Sequence, residues 1–224
     1  MDDYYSKNLS AERLKLCYDI APPRVVQYLN AEIDFVLSKI KPSDKILELG
    51  CGYGRILLKL AKKAKTVIGI DNSRVSIQLA KETLKDFKNC EVLEMDAKKL
   101  EFPDNYFDKV LCLQNGLSAF KLNKRKFIKE TLRVTRNGGS AFFSSYSNNF
   151  WNDRIGWFRL QVEYGLLGEI DEDKTKDGGI VCKDGFRATT ITEDKFNYLC
   201  NKLNLVPKIT EVDNSSIFFE IIKK

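Results

Sequence analysis

Residues 45–55 read KILELGCGYGR, an apolar, strand-like stretch that runs directly into three glycines at every second position. Gly50, Gly52 and Gly54 therefore stand where a predicted strand passes into the amphipathic sequence ILLKLAKKAK. Glycine loses more backbone entropy on folding than any other residue, so three of them indicate a turn in which the backbone itself is needed. Such a turn between a first strand and a helix lets the backbone approach a ligand at the carboxyl end of a parallel sheet.

The sequence around this turn alternates short apolar strands with amphipathic helices. The predicted strands cover residues 45–49, 66–70, 90–95, 107–113 and 140–146, and the predicted helices cover about 54–64, 74–87 and 124–134. Ser73 and Asn123 are placed to cap the second and third of these helices, because each precedes its first turn. The alternation is typical of a doubly wound, mostly parallel sheet.

The C-terminal sequence predicts a different arrangement. Thr192 is placed to cap a helix, and LVPKITEVDNSSIFFEII at residues 205–222 predicts two strands joined by Asp213 and Asn214. So short a connection makes these strands antiparallel. Pro207 indicates that the first of them lies at a sheet edge, since proline cannot donate to an inner ladder. We therefore expect a seven-stranded, mostly parallel sheet that ends in an antiparallel hairpin.

Two segments fall outside this core. Residues 1–40 predict helices, one of them beginning at Pro22 and Pro23, and residues 147–191 are rich in aromatics and glycine. We expect an N-terminal helical cap over residues 1–40 and one domain over 41–224, with residues 147–191 as a lid insertion. The aromatic residues and arginines of both segments suggest a closed pocket for a small anionic or planar molecule. The candidate substrate residues are Tyr5, Tyr18, Arg24, Trp151 and Trp157.

Composition excludes several classes of site. The 224 residues contain no histidine, which rules out Ser-His-Asp and Cys-His hydrolases and removes the commonest metal ligand. The six cysteines include no CxxC pair, which favours free thiols in a reducing cytoplasm over disulfides or a metal site.

The charge and hydropathy patterns bear on partners and location. The net charge is +6, and the lysines are spread through most predicted helices. This distribution favours a solvated surface over a nucleic-acid footprint. No apolar run approaches the ~20 residues of a membrane span, and the N-terminal sequence lacks the apolar core of a secretory signal. We expect a cytoplasmic protein without membrane contact.

Acidic residues close the next two strands. Asp71 ends the second strand in VIGIDNS, where a carboxylate can accept both hydroxyls of a ribose and disfavours a 2′-phosphate by charge. Asp96 ends the third strand, where it can accept an adenine amino group, with the Ala97 N–H facing the ring. A P-loop is excluded because no Gly-Lys-Ser/Thr follows, and the dinucleotide fingerprint places its third glycine one residue later. The predicted ligand is an adenosine with an unphosphorylated ribose.

Four segments together resemble, in order and spacing, the consecutive motifs of class I S-adenosylmethionine-dependent methyltransferases: ILELGCGYGR, VIGIDNS, VLEMDAKKLEFPDNYFDKVLCLQNG and LRVTRNGGSAFFSSY. The likeness covers about residues 44–146. It implies a Rossmann-like fold, S-adenosylmethionine as cofactor with S-adenosylhomocysteine as product, and methylation of a nitrogen, oxygen or sulfur of a small molecule. The implied cofactor-binding residues are Glu48, Gly50, Cys51, Gly52, Gly54, Arg55, Asp71, Asn72, Asp96, Ala97, Gln114 and Asn115.

The acceptor stays open at this stage. Enzymes that methylate base amino groups carry an Asp/Asn-Pro-Pro-aromatic motif after the fourth strand, where this chain has LQNGLSA at residues 113–119. An RNA- or protein-directed methyltransferase would share every cofactor motif, and a non-catalytic S-adenosylmethionine-binding scaffold or an NAD-dependent oxidoreductase are further alternatives. Without histidine, the acceptor arrives deprotonated or a Tyr, Asp or Glu takes its proton, and no catalytic residue is assigned. A monomer and a homodimer are both open.

Overall fold

The structure, a computed structural model, describes Tyr4 and residues 8–224. The helices are α1 (Ala11–Asp19), α2 (Pro23–Ser38), α3 (Leu57–Leu60), α4 (Arg74–Thr83), α5 (Gly116–Ala119), α6 (Lys124–Val134), α7 (Trp151–Glu163) and α8 (Glu193–Asn201). The strands are β1 (Lys45–Leu49), β2 (Thr66–Asp71), β3 (Cys90–Glu94), β4 (Phe107–Cys112), β5 (Thr135–Tyr146), β6 (Ile180–Val181), β7 (Arg187–Ala188), β8 (Lys208–Val212) and β9 (Ser216–Ile222).

Seven strands form one sheet in the order β3-β2-β1-β4-β5-β9-β8. The pairs among β1 to β5 are parallel, whereas β9 is antiparallel to both β5 and β8. Asp213 and Asn214 connect β8 to β9, both with positive φ. The predicted sheet and its C-terminal hairpin are confirmed, and Pro207 directly precedes the edge strand β8, as expected.

Local signals set several helix starts. The side chains of Ser73, Asn123 and Thr192 each accept a hydrogen bond from the backbone N–H three residues later. The predicted caps are thus confirmed, since they satisfy donors that the first helical turn leaves free. The helix predicted over 54–64 is wrong in length: α3 covers only Leu57–Leu60, with turns on both sides.

Three apolar clusters organise the molecule. One lies between the sheet and α2, α3 and α4, and a second lies between the opposite face and α6 and α8. The third joins the N-terminal helices to the insertion at residues 147–191, through side chains such as Cys17, Tyr28, Trp157, Phe158 and Phe186. The β6–β7 hairpin belongs to this insertion, and its turn contains the predicted Asp184–Gly185 pair. The third cluster therefore covers the sheet near the end of β5, beside the glycine turn.

Across Tyr4 and residues 8–224, no helix combines the length and apolar character needed to cross a membrane. All six cysteines are free thiols.

Candidate active site

The glycine turn after β1 is held against the end of β2. Gly50, Gly52 and Gly54 have φ values of +76°, +53° and +87°, a region that L side chains rarely adopt. The backbone N–H groups of Gly50 and Cys51 both donate to the Ile70 carbonyl, at 2.8 and 2.9 Å. Gly52 N–H donates to Asp71 Oδ2 at 2.9 Å. The shape of the turn therefore requires glycine at these three positions.

Side chains lie directly against these glycines. A Cβ at Gly50 would stand 2.7 Å from the Phe120 ring, and one at Gly52 would stand 3.0 Å from Leu14 of α1. A Cβ at Gly54 would meet Leu84 at 2.9 Å, beyond the end of α4. Gly54 consequently packs against the fold rather than lining the cavity described next.

A cavity of about 180 Å³ runs from the glycine turn to the insertion. At one end it is lined by Glu48, Gly50, Cys51, Gly52, Tyr53, Arg55, Asp71 and Asn72. The other end, called here the aromatic chamber, is formed by Tyr18, Tyr28, Tyr146, Trp157, Phe158 and Phe186. The structure thus brings seven predicted cofactor residues and the predicted substrate residues Tyr18 and Trp157 into one cavity, where the predicted Gln114 also lies.

The loop after β4 is strained and firmly held. Gln114 and Asn115 are consecutive non-glycine residues with positive φ, +52° and +63°. The Gln114 N–H donates to Ser144 Oγ at 2.8 Å, and Asn115 is bound by Ser145 Oγ and by the Thr189 carbonyl. Strain of this kind persists where the surroundings fix it, and it concentrates at functional sites. Gln114 lines the cavity, whereas Asn115 is buried beside it.

Among the described residues, three buried polar atoms of the cavity lining have no hydrogen-bond partner. They are Glu48 Oε2, Arg55 Nη2 and Gln114 Nε2. Glu48 is 3% exposed, and burial raises its pKa to about 8; the Asp71 charge adds to this rise and the Arg55 guanidinium opposes it. Buried polar groups in folded proteins are normally paired. A carboxyl, a guanidinium and an amide left unpaired together therefore indicate a ligand with complementary groups.

Several predicted residues lie elsewhere. Contrary to expectation, Arg24 is bound to Asp213 in the β8–β9 turn, with Nη1 2.6 Å from Oδ2, and Trp151 faces a separate cavity beside Arg154. Asp96 is exposed at the end of β3 and accepts the Lys98 N–H at 2.9 Å, and Ala97 follows it outside the cavity lining. Tyr5 lies outside the described residues.

Sequence reasoning missed part of the cavity lining. Leu14, Tyr28, Tyr146, Gln161 and Phe186 all line it, and none of them was predicted. One local signal was present in the sequence. Tyr28 and Glu32 are four residues apart on a predicted helix, and this spacing places their side chains on the same face. Within the described residues, no group of three or more Cys, Asp and Glu is arranged to hold a metal ion. Burial raises the pKa of the cavity-lining Cys17 thiol to about 12.

The sequence of this chain is similar to those of known methyltransferases. A family described as a methyltransferase domain matches residues 46–139. Over 132 residues the chain is 43% identical to a probable cobalt-precorrin-6B C(15)-methyltransferase (decarboxylating) of Methanococcus maripaludis, spanning 56% of this chain and 71% of that protein. The chain belongs to the class I S-adenosylmethionine-dependent methyltransferases.

Other relatives of this methyltransferase differ in acceptor. It is 36% identical over 94 residues to a probable ribosomal RNA small subunit methyltransferase A of Methanosarcina barkeri, covering 40% of this chain and only 32% of that protein. It is 30% identical over 151 residues to a 2-methyl-6-phytyl-1,4-hydroquinone methyltransferase of Synechocystis, covering 60% of this chain and 47% of that protein. The solved structure of PH0226 from Pyrococcus horikoshii shares the fold, with a TM-score of 0.69 over both whole chains at 22% identity.

The polar groups at the glycine-turn end of the cavity are chemically complementary to S-adenosylmethionine. The methionyl end of this cofactor carries an ammonium and a carboxylate, which match the unpaired Glu48 carboxyl and Arg55 guanidinium. The ribose carries two hydroxyls, and Asp71 lies on the same side of the cavity. Each Asp71 oxygen already accepts one backbone N–H, from Gly52 or Ser73, and a carboxylate oxygen can accept more than one hydrogen bond.

We expect cofactor binding to release the Glu48 proton. With a pKa of about 8, this carboxyl is mostly protonated at pH 7, and a cation placed beside it lowers the pKa. Proton release makes the affinity rise as the pH approaches 8. Calorimetric titration with S-adenosylmethionine at pH 7, in two buffers of different ionisation enthalpy, should detect up to about one proton released. Glu48→Gln should abolish this release and exposed Glu12→Gln should retain it; release by Glu48→Gln equal to wild type would contradict the expectation.

We expect Gly52→Ala to weaken cofactor binding at least about tenfold. The new Cβ is strained at φ +53° and meets Leu14 at 3.0 Å. Gly138→Ala is the matched control, because it has φ +73° on β5 and no atom closer than 3.7 Å. Both variants should lose about 1–2 kcal/mol of unfolding free energy in denaturant titrations. Calorimetry should find the affinity for the cofactor reduced only in Gly52→Ala. An equal reduction in both variants would show that the glycine turn does not contact the cofactor.

Proposed function

We propose that the protein transfers a methyl group from S-adenosylmethionine to a small-molecule acceptor held in the aromatic chamber. The observation that carries this proposal is the continuity of one partly open cavity from the glycine turn to the chamber. Leu14 and Tyr18 of α1 cover it from one side, and Trp157 and Phe158 of α7 from another. This partial cover by two helices supports an acceptor small enough to lie between them.

We further propose how the chain holds its cofactor. The glycine turn, Glu48 and Arg55 bind the methionyl end, and Asp71 and Asn72 bind the ribose. Asp96 and Ala97, which lie outside the cavity lining, would bind the adenine. The support for this last assignment is that Asp71 and Glu94 are register partners in the parallel β2–β3 pair, with Asp96 two residues beyond.

The bound cofactor supplies an electrophilic methyl group on a positively charged sulfur. The protein contributes alignment of the acceptor and exclusion of water. The chamber side chains are well suited to this task because they are fixed: Trp157 Nε1 donates to the Cys17 carbonyl at 2.8 Å, and Tyr18 donates to Gln114 Oε1 at 2.7 Å. Rigid walls position an acceptor without further ordering.

A second candidate is methylation of RNA, favoured by the likeness to the ribosomal RNA methyltransferase. That protein is matched over only a third of its length, and the match covers 40% of this chain. The spread of charged residues and the covered cavity favour the small acceptor.

Three measurements on the full chain test the proposal. Calorimetry should detect saturable binding of S-adenosylmethionine and S-adenosylhomocysteine and none of NAD. Labelled S-adenosylmethionine should then transfer its methyl group to members of a panel of small alcohols, amines and thiols, and not to mixed RNA. Filter binding of mixed RNA at several salt concentrations checks the second candidate, since phosphate contacts weaken steeply with salt. Transfer to RNA alone would overturn the small-acceptor proposal, and binding without any transfer would indicate a scaffold.

A further inference from the structure

Glu32 of α2 is a buried carboxyl, 1% exposed. Among the described residues, neither of its oxygens has a partner in good hydrogen-bond geometry, although the Ser144 and Tyr28 hydroxyls and the Gln114 backbone N–H lie nearby. Burial raises its pKa to about 7, and these three donors and the Arg55 charge oppose that rise. An unpaired buried carboxyl lowers stability relative to an apolar residue of similar size. A group retained against that penalty is a candidate for function.

Glu32 reaches the cavity through Tyr28. The two residues are one helical turn apart, so their side chains share a face of α2. Tyr28 lines the chamber, with its ring centroid 5.5 Å from that of Tyr146. Its hydroxyl lies near enough to Glu32 to favour the carboxylate. Tyr28 therefore stands between the cavity and the buried carboxyl.

The charges around the chamber favour an uncharged acceptor. The Arg55 guanidinium lies 4.6 Å from the Tyr18 ring centroid, and that of Arg154 lies 4.3 Å from the Tyr146 ring centroid. Positive charge behind two of the chamber rings disfavours an ammonium group. The Glu32 carboxyl, ionised above about pH 7, disfavours a carboxylate ligand. Six aromatic side chains favour a planar ligand, because rings pack in offset or edge-to-face contacts.

One free hydrogen-bond donor indicates the acceptor atom. Gln114 Nε2 is buried without a partner, while its Oε1 accepts the Tyr18 hydroxyl at 2.7 Å. The amide is therefore fixed with its N–H groups available. Oxygen is a much better acceptor of such a bond than sulfur.

We infer that the acceptor is a planar aromatic compound with a hydroxyl group, and that Glu32 is a positioning residue that receives the hydroxyl proton through Tyr28. This inference rests on the proposed function. In the transfer, the acceptor oxygen forms a bond to the methyl carbon, and the bond from that carbon to sulfur breaks with its electron pair left on sulfur. The hydroxyl proton passes to the Tyr28 oxygen as the Tyr28 proton passes to Glu32. Solvent takes that proton after product release.

Chamber occupancy can be measured without turnover. The chain has two tryptophans, and Trp151→Phe leaves Trp157 of the chamber as the only one. Phenol, thiophenol, benzylamine and benzoate would be titrated into this variant saturated with S-adenosylhomocysteine. We expect phenol to change the Trp157 fluorescence saturably and to bind at least about tenfold more tightly than the other three.

The role of Glu32 is tested by kinetics with phenol and labelled S-adenosylmethionine. Facing Glu32 are Tyr28 on its own helix, Arg55 beyond the glycine turn and Tyr146 on β5. Burial raises the pKa of both tyrosines, so Glu32 is the member of this group that titrates near pH 7. In wild type, kcat should rise with pH through about 7, because the ionised carboxylate receives the proton. Glu32→Gln should lower kcat at least about 100-fold and remove this rise, and Glu32→Asp should restore part of both.

The outcomes distinguish failure of this inference from failure of the proposed function. Unchanged S-adenosylhomocysteine affinity in Glu32→Gln and Tyr28→Phe, with lost turnover and a lost pH dependence, supports the inference. Tighter binding of benzylamine, benzoate or thiophenol, or no binding of phenol by a protein that binds the cofactor, overturns the acceptor class. A pH rise retained in Glu32→Gln overturns the role of Glu32. Absence of cofactor binding by wild type would instead defeat the proposed function.

Discussion

The Ile70 carbonyl organises the glycine-turn end of the cavity. It accepts hydrogen bonds from both Gly50 and Cys51, so the turn after β1 is attached to the end of β2. Asp71, the next residue, binds the turn at Gly52 and the start of α4 at Ser73. Because Leu49 and Ile70 are register partners in the parallel β1–β2 pair, the sheet itself fixes where the turn begins. The positive φ values of the glycines are the consequence of that attachment.

The cavity is surrounded by buried polar groups and by strained backbone, whereas packing alone would favour apolar side chains and relaxed backbone. Glu32, Glu48, Arg55 and Gln114 leave buried atoms unpaired, and Gln114 with its neighbour has left-handed backbone. Each of these features lowers the stability of the isolated chain. Their concentration around one cavity, rather than their individual size, is what distinguishes a binding site from imperfect packing. A fold is expected to break its local rules at such places.

Local signals made much of the fold predictable. The caps at Ser73, Asn123 and Thr192 and the turn at Asp213 depend on residues within a few positions of each other. The length of α3 was not predictable, because its flanking turns are shaped by the sheet and by Leu84 packed on Gly54.

The aromatic chamber was less accessible to sequence reasoning because its contacts are distant in sequence. Trp151 and Trp157 are six residues apart on one helix, yet α7 directs only the second toward Cys17 of α1. Glu32 is buried where α2 meets the ends of β4 and β5, which no local pattern reports. Arg24 instead binds Asp213, which lies 189 residues further along the chain. The composition of the sequence indicated which segments cover the site. Which of their side chains line the cavity depends on tertiary packing, which the sequence does not show.

Tyr18 connects the two ends of the cavity. Its ring packs against the Arg55 guanidinium at the cofactor end, and its hydroxyl fixes the Gln114 amide beside the chamber. A carboxylate bound by Arg55 would act on the same ring that holds Gln114 in place. The orientation of the acceptor would then depend on occupancy of the cofactor end, through one side chain of α1. Under the proposed function, the family motifs would bind the methyl donor, and α1, which lies outside those motifs, would connect donor binding to the orientation of the acceptor.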